Sequence, residues 1–302
     1  MIMKKNVFYL VVLMIVASIS VSCTVQDDCS LQSHSSETKE NQEMEQLVLA
    51  LENYNANYLE NNIETRGIAS WLRRLVRVTF ADAVGALCGA TYGPYGAVAG
   101  GVFSSVCAYC LDANAEAEHR RANIERGVKM NALTDVVFES NIPMCTDSVG
   151  FFHNKIIMNL YSNGMLYMDK DNESLINEIC YQADSLTLNE NRPVSNEDFM
   201  KGLNLYRFIE AYPEMSSLET FEDYVKAYVN LYPGYEDELE ILHDYISTLC
   251  GISPEQNTGL YITGALDIIN KSQVNNTIKK RLGEAFITGY ASSKLWNFEY
   301  NR

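Results

Sequence analysis

"GALCGATYGPYGAVAGG", residues Gly85–Gly101, carries no charge in a chain of 302 residues whose formal net charge is −16. Gly85, Gly89 and Gly93 are four apart, and Gly96 and Gly100 repeat the interval. Residues four apart share one face of a helix, so each run leaves a stripe without side chains. A glycine inside a helix costs roughly 1 kcal/mol relative to alanine. Five of them in a helical segment imply a surface packed close against the stripe, the small-xxx-small arrangement of tight helix pairs.

Two geometries satisfy that pattern. In one, "GPYG" at residues 93–96 is a type I turn, with Gly93 ending a helix and Pro94 opening the next. The stripes then face each other in an antiparallel hairpin. In the other, a single helix runs through and the five glycines fall within about 80° of its circumference. A mid-helix proline costs about 3 kcal/mol or more, and the hairpin is therefore the expected form. Gly85, Gly89, Gly93, Gly96 and Gly100 are its expected helix-packing residues.

The surroundings decide whether such a hairpin enters a bilayer. Residues Ala83–Leu111 are uncharged, more than the ~20 that a span requires. As a hairpin the first arm has only Ala83–Tyr92, about 15 Å at 1.5 Å per residue, half of a bilayer core. Arg73, Arg74 and Arg77 precede the stretch, and Arg120 and Arg121 follow it. In a hairpin both clusters lie at one end, which suits contact with an anionic membrane surface. A hairpin docked on its own protein is the plainer expectation, and insertion into a target bilayer the competing one.

Continuous β alternation is hard to find, and the expectation for the chain is all-α: a glycine-rich hairpin plus a C-terminal helical domain. "QEMEQLVLALENYNANYLENN" reads as a helix, and "IETRGIASWLRRLVRVTFADAVGALCGATY" begins another at Ser70, before the turn. Beyond it, "SNEDFMKGLNLYRFIEAYP" starts from Ser195 as N-cap and reads as one helix. "SLETFEDYVKAYVNLYP" places Phe221, Tyr224, Val225, Tyr228 and Val229 at i, i+3, i+4, i+7 and i+8. "EDELEILHDYISTLCG" closes on Gly251 as C-cap, "SPEQ" at 253–256 is a helix start, and a last helix spans Val274 to Asn297. The expected organisation is 1–22 leader, 23–42 flexible tether, 43–129 N-terminal helix and hairpin, and 130–302 acidic helical domain. That last part holds 12 Lys/Arg against 25 Asp/Glu. So acidic a body repels phosphate and argues against a nucleic-acid partner.

The first residues, "MIMKKNVFYLVVLMIVASISVSC", give Lys4 and Lys5, a short apolar run Val7–Ile19, small residues Ser20 and Ser22, then Cys23. The run is too short for a comfortable span, so it reads as an export signal. It resembles a bacterial lipoprotein signal, whose cysteine takes a diacylglyceryl group and becomes the mature N-terminus. Ser20 stands where the usual box has an aliphatic residue, a looseness found in the lipoproteins of Bacteroidota. "CTVQDD" looks like the acidic tag that routes such lipoproteins to the outer-membrane surface. The resemblance implies lipidation at Cys23 and a membrane partner through the lipid anchor. "DSV" at 147–149 and "DSL" at 184–186 resemble the O-glycosylation motif of the same exported proteins, implying Ser148 and Ser185. "DSVGFFHNKIIMNLY", a helix start, resembles a segment of uncharacterised secreted Bacteroidota proteins that carry a glycine-rich hairpin.

Signatures of chemistry are missing from the sequence: there is no P-loop, GxSxG, HExxH or dinucleotide fingerprint. Cys107 and Cys110 form a CxxC inside an apolar helical run, read as buried small hydrophobes rather than a redox pair. Cys145 with His153 is a nucleophile–base pairing by spacing alone. "DKDNESLINEI" from Asp169 has Ser174 and Cys180 where a calcium loop needs Gly and Glu, and reads as a helix cap. No cofactor, metal or catalytic residue is expected. The expected function is a non-enzymatic envelope protein whose hairpin serves self-association or docking.

Overall fold

A computed structural model describes residues 30–62, 70–110, 148–163, 165, 172–187, 195–252 and 258–300. It is all-α, with no strand among the described residues. The helices are α1 (Ser30–Asn62), α2 (Ser70–Gly89), α3 (Gly93–Cys110), α4 (Val149–Ser162), α5 (Asn172–Thr187), α6 (Asn196–Gly202), α7 (Leu205–Ser216), α8 (Phe221–Leu231), α9 (Glu236–Gly251), α10 (Thr258–Lys271) and α11 (Asn276–Tyr300). The chain divides into two compact units, Met1–Glu43 and Met44–Arg302. In the first, the end of the expected tether is helical from Ser30. No Gly or Pro interrupts Ser30–Glu43, and Lys39 pairs with Glu43 at 3.5 Å one turn on.

In the second unit the hairpin is the centre, not an appendage. Helices α2 and α3 share the most extensive interface in the fold. Helix α11 lies along α2, α4 along both α3 and α11, α9 on α2, and α5 on α3. Phe80, Ala83, Val84, Ala86 and Leu87 of α2 are buried, as are Ala97, Val98, Val102, Phe103 and Val106 of α3. A helix apolar all round must be covered all round, and fully burying a side chain such as Phe80 gives about 1.5–3 kcal/mol. The packing does not divide at the expected 129/130 boundary, which itself lies outside the described residues.

Local signals account for the other helix ends. Ser148, Ser195 and Thr220 each accept a hydrogen bond from the backbone N–H three residues on, at 3.2, 3.2 and 3.0 Å. Asn275 does the same for Ile278 at 2.9 Å, so α11 begins two residues after Val274. The helix expected to run unbroken from Ser195 is two, α6 and α7. Asn204 adopts φ 56°, the left-handed region that Asn tolerates better than most residues, and its amide donates to Leu231 O at 2.9 Å. That break lets Phe199, Leu203 and Phe208 all reach the core while Tyr206 turns outward. Gly251 is the last residue of α9 rather than a left-handed cap, because Ile252 leaves in extended backbone. The "SPEQ" start lies outside the described residues.

Candidate functional site at the centre of the hairpin

The glycines bring backbone against backbone. A Cβ on Gly85 would lie 2.7 Å from the carbonyl carbon of Gly100, and one on Gly89 would lie 2.5 Å from that of Gly96. Pairs 85·100 and 89·96 run in opposite senses, so the arms are antiparallel and their bare stripes face each other. Gly93 does something else. Its φ is +75°, and nothing lies within 4 Å of a Cβ built there. A short 3₁₀ turn, Ala90–Tyr92, reverses the chain, and Gly93 supplies the positive φ that starts α3 with Pro94 in its first turn. The reversal therefore precedes the "GPYG" turn of the sequence reading, and Gly93 is a conformational rather than a packing residue.

Beside this contact lies a polar cluster that the sequence reading missed. Asp82 of α2, wholly buried, accepts hydrogen bonds at Oδ2 from Ser105 Oγ of α3 (2.7 Å), Ser292 Oγ of α11 (2.6 Å) and Trp296 Nε1 of α11 (3.2 Å). His153 of α4, also wholly buried, brings Nε2 to 3.4 Å from the same oxygen. Its Nδ1 meets Asn154 Oδ1 at 2.9 Å, and Asn154 Nδ2 donates to Ala291 O at 2.8 Å. Asp82 Oδ1, His153 Nε2 and Thr288 Oγ1 have no hydrogen-bond partner among the described residues. Glycines admit this convergence: a Cβ on Gly101 would meet His153 Cδ2 and Thr288 Cγ2 at 3.2 Å, and one on Gly150 would meet Ile287 O at 2.7 Å. Helices α3 and α11 are thus tied to one carboxylate oxygen of α2, with His153 of α4 beside it. A signal for it was present, since Asp82 is the last charge before the uncharged stretch, and a carboxylate among apolar residues in a core must be paired.

The arrangement does not match a hydrolytic triad, in which the imidazole takes the serine proton. Both serines donate to the carboxylate, and neither meets a nitrogen of His153, whose Nδ1 is taken by Asn154. The nucleophile–base pairing with Cys145 falls outside the described residues. Among the described residues no group of His, Cys, Asp or Glu could hold a metal ion, and no helix is long and apolar enough to cross a membrane.

The basic residues expected at a membrane surface separate. Arg73 is exposed and Arg74 half-buried. Arg77 instead turns inward: its guanidinium donates to Ser216 O at 2.8 Å and to Leu218 O, and sits 5.4 Å over the Tyr224 ring. It caps the carbonyls that end α7, which attract a cation. We expect Arg77→Met to cost about 2 kcal/mol in denaturant unfolding, because two charge-assisted hydrogen bonds go while the stem remains. Arg120, Arg121 and Cys23 lie outside the described residues. Ser148 is the N-cap of α4, and Ser185 is exposed on α5.

Other titratable groups sit around this centre. Burial pushes the Cys88 thiol up to about 12, keeping it protonated and unreactive. Burial likewise pushes the Glu284 carboxyl up to about 7 against the pull of Lys280 at 4.0 Å. Glu238 is raised by burial in spite of its partner Arg281, which lies 4.8 Å over the Tyr235 ring. Tyr224 is raised by burial, while hydrogen bonds with Tyr212 and Tyr228 at 3.3 and 3.2 Å pull the other way. An open groove of about 520 Å³ along α5, lined by Glu173, Ser174, Asn177, Glu178 and Tyr181, shares no residue with the Asp82 cluster. Comparison with known proteins finds no matching family model, no similar curated protein and no similar solved structure.

Proposed function

We propose that this chain is a lipid-anchored protein of the cell envelope, held at the outer membrane through Cys23 and facing outward, that acts by binding rather than by catalysis. The observation that carries the reading is the enclosure of the hairpin. The faces of Gly85, Gly89, Gly96 and Gly100 are spent on each other, and α4, α5, α9 and α11 cover the rest. The docking surface for the hairpin is then its own chain, not a second copy, and what remains for a partner is the acidic helical exterior. Insertion of the hairpin into a bilayer would strip those helices away and carry Asp82 with it. A carboxylate at mid-bilayer costs about 2.5–3.5 kcal/mol even on insertion scales.

Two measurements test this. Radioactive palmitate fed to cells is expected to label the wild type and not Cys23→Ala, which should leave the membrane fraction; equal labelling of both removes the anchor. Dye-loaded vesicles of phosphatidylethanolamine and phosphatidylglycerol are expected to stay sealed when given the Cys23→Ser chain. Leakage that Gly89→Leu abolishes would replace a binding protein by a membrane-active one.

A further inference from the structure

Residues 44–58 of α1 are held by one face alone. Met44, Leu47, Leu51 and Asn55 are buried at helical spacing, while Glu45, Leu49, Glu52, Asn53 and Ala56 between them are exposed. Helix α3, in contrast, is buried on every side from Tyr95 to Ala108. The segment does little to hold itself. Its second half, "NYNANY" at residues 53–58, is built mostly from Asn and Tyr, weaker helix formers than Ala or Leu. The Asn53 amide donates back to Leu49 O at 2.8 Å and reaches no other helix through that bond. What fastens the segment is a pair of tyrosines. Tyr54 lies across the bare backbone of Gly264 in α10, where a Cβ would meet its Cζ at 2.7 Å. Its hydroxyl donates to Tyr261 O at 3.0 Å, and the Tyr261 hydroxyl donates back to Asn55 Oδ1 at 2.8 Å. The rings of Tyr54 and Tyr58 stand 5.6 and 5.0 Å from the ring of Tyr261.

We propose that residues 44–58 are a releasable strap, which leaves α10 as a unit while α2–α11 keep their packing. Release strands neither tyrosine hydroxyl. Tyr54 is half-buried, and its hydroxyl passes to water. The Tyr261 hydroxyl keeps a second acceptor, Tyr245 O at 3.4 Å. Tyr261 also stacks on Tyr245 of α9 at 5.6 Å, and Tyr245 on Phe286 of α11 at 3.8 Å, so these three helices stay joined without α1. The hairpin joint differs. Lifting α11 from α2 would take Ser292 and Trp296 from the buried Asp82 carboxylate, and an orphaned buried polar group is costly. Opening is therefore confined to α1, as expected where few apolar contacts hold a helix. Its consequence for reach rests on the anchoring proposed above. Residues 44–58 span about 22 Å as helix and up to about 50 Å as extended chain, so release lengthens the path from Cys23 to the hairpin.

Native-state hydrogen exchange read by mass spectrometry tests the strap, on the full Cys23→Ser chain in detergent. Amides of residues 44–58 are expected to exchange at one common opening, about 100-fold or more faster than those of residues 98–106 in α3. Two substitutions then separate local from global opening. Tyr54→Ala removes the fastening ring while favouring α1 as a helix, and should speed exchange of 44–58 about tenfold. Ser105→Ala weakens the hairpin equally in the strapped and the released state. It should speed exchange of 98–106 about tenfold and leave 44–58 unchanged. The proposal is overturned if 44–58 exchange no faster than 98–106, if their rates only grade along the helix, or if Tyr54→Ala leaves them unaltered. It is overturned equally if Ser105→Ala speeds both segments alike, since α1 would then open only when the whole unit unfolds. None of these rates depends on the lipid: a failed palmitate test would remove the change of reach and leave the strap standing.

Discussion

Gly89→Ala is expected to destabilise the protein by about 3 kcal/mol or more in guanidinium unfolding followed by far-UV circular dichroism. Overpacking a tight interior contact costs typically about 1–3 kcal/mol when neighbouring side chains can yield. Here the obstacle is backbone: the new methyl would meet the carbonyl carbon of Gly96 at 2.5 Å and the nitrogen of Ala97 at 3.0 Å. Neither atom can swing aside, so α2 and α3 must separate, and every helix packed on them must follow. Gly283→Ala is the control. It also lies in a helix, nothing is within 4 Å of its Cβ, and it should gain up to about 1 kcal/mol from helix propensity. Equal effects at the two sites would mean that the backbone contact does not hold the hairpin.

Asp82→Ala is expected to cost about 3 kcal/mol or more, because three buried donors lose one shared acceptor, each worth about 1–3 kcal/mol. The loss exceeds that of any single neighbour because the carboxylate is shared. Ser105, Ser292 and Trp296 would all lose their acceptor at once. Ser105→Ala or Ser292→Ala, each removing one donor of several, should cost about 1–2 kcal/mol. If Asp82→Ala lowered stability no more than Ser105→Ala, the carboxylate would not be the joint between the helices.

The helical class, the hairpin and the pairing of its stripes were legible in the sequence, because periodicity and glycine spacing are local signals. The N-cap at Ser195 follows from the residue type and the start of an apolar period; the caps at Ser148 and Thr220 carry the same signal but were not read as caps. What was not legible depended on distant partners. Asn204 looks like any polar residue on a helix until Leu231 O supplies its bond from another helix. Arg77 reads as one of three surface cations until the end of α7 arrives to receive it. The cluster is the extreme case: Asp82 and Trp296 are 214 residues apart, and no local window contains both. Gly93 shows the reverse error. Its four-residue interval is genuine, but the turn falls just before it, so its value is a positive φ and not a bare face.

The closure of α2 by α11 bears on how the protein comes to be made. The two helices whose joint seals the interior are encoded far apart in the second unit, so synthesis cannot complete that joint until Ser292 and Trp296 have left the ribosome. Long-range closure of this kind slows acquisition of the final state. Under the export proposed above, such a delay would be useful, since a channel threads slack chain, and the late arrival of one helix keeps it slack.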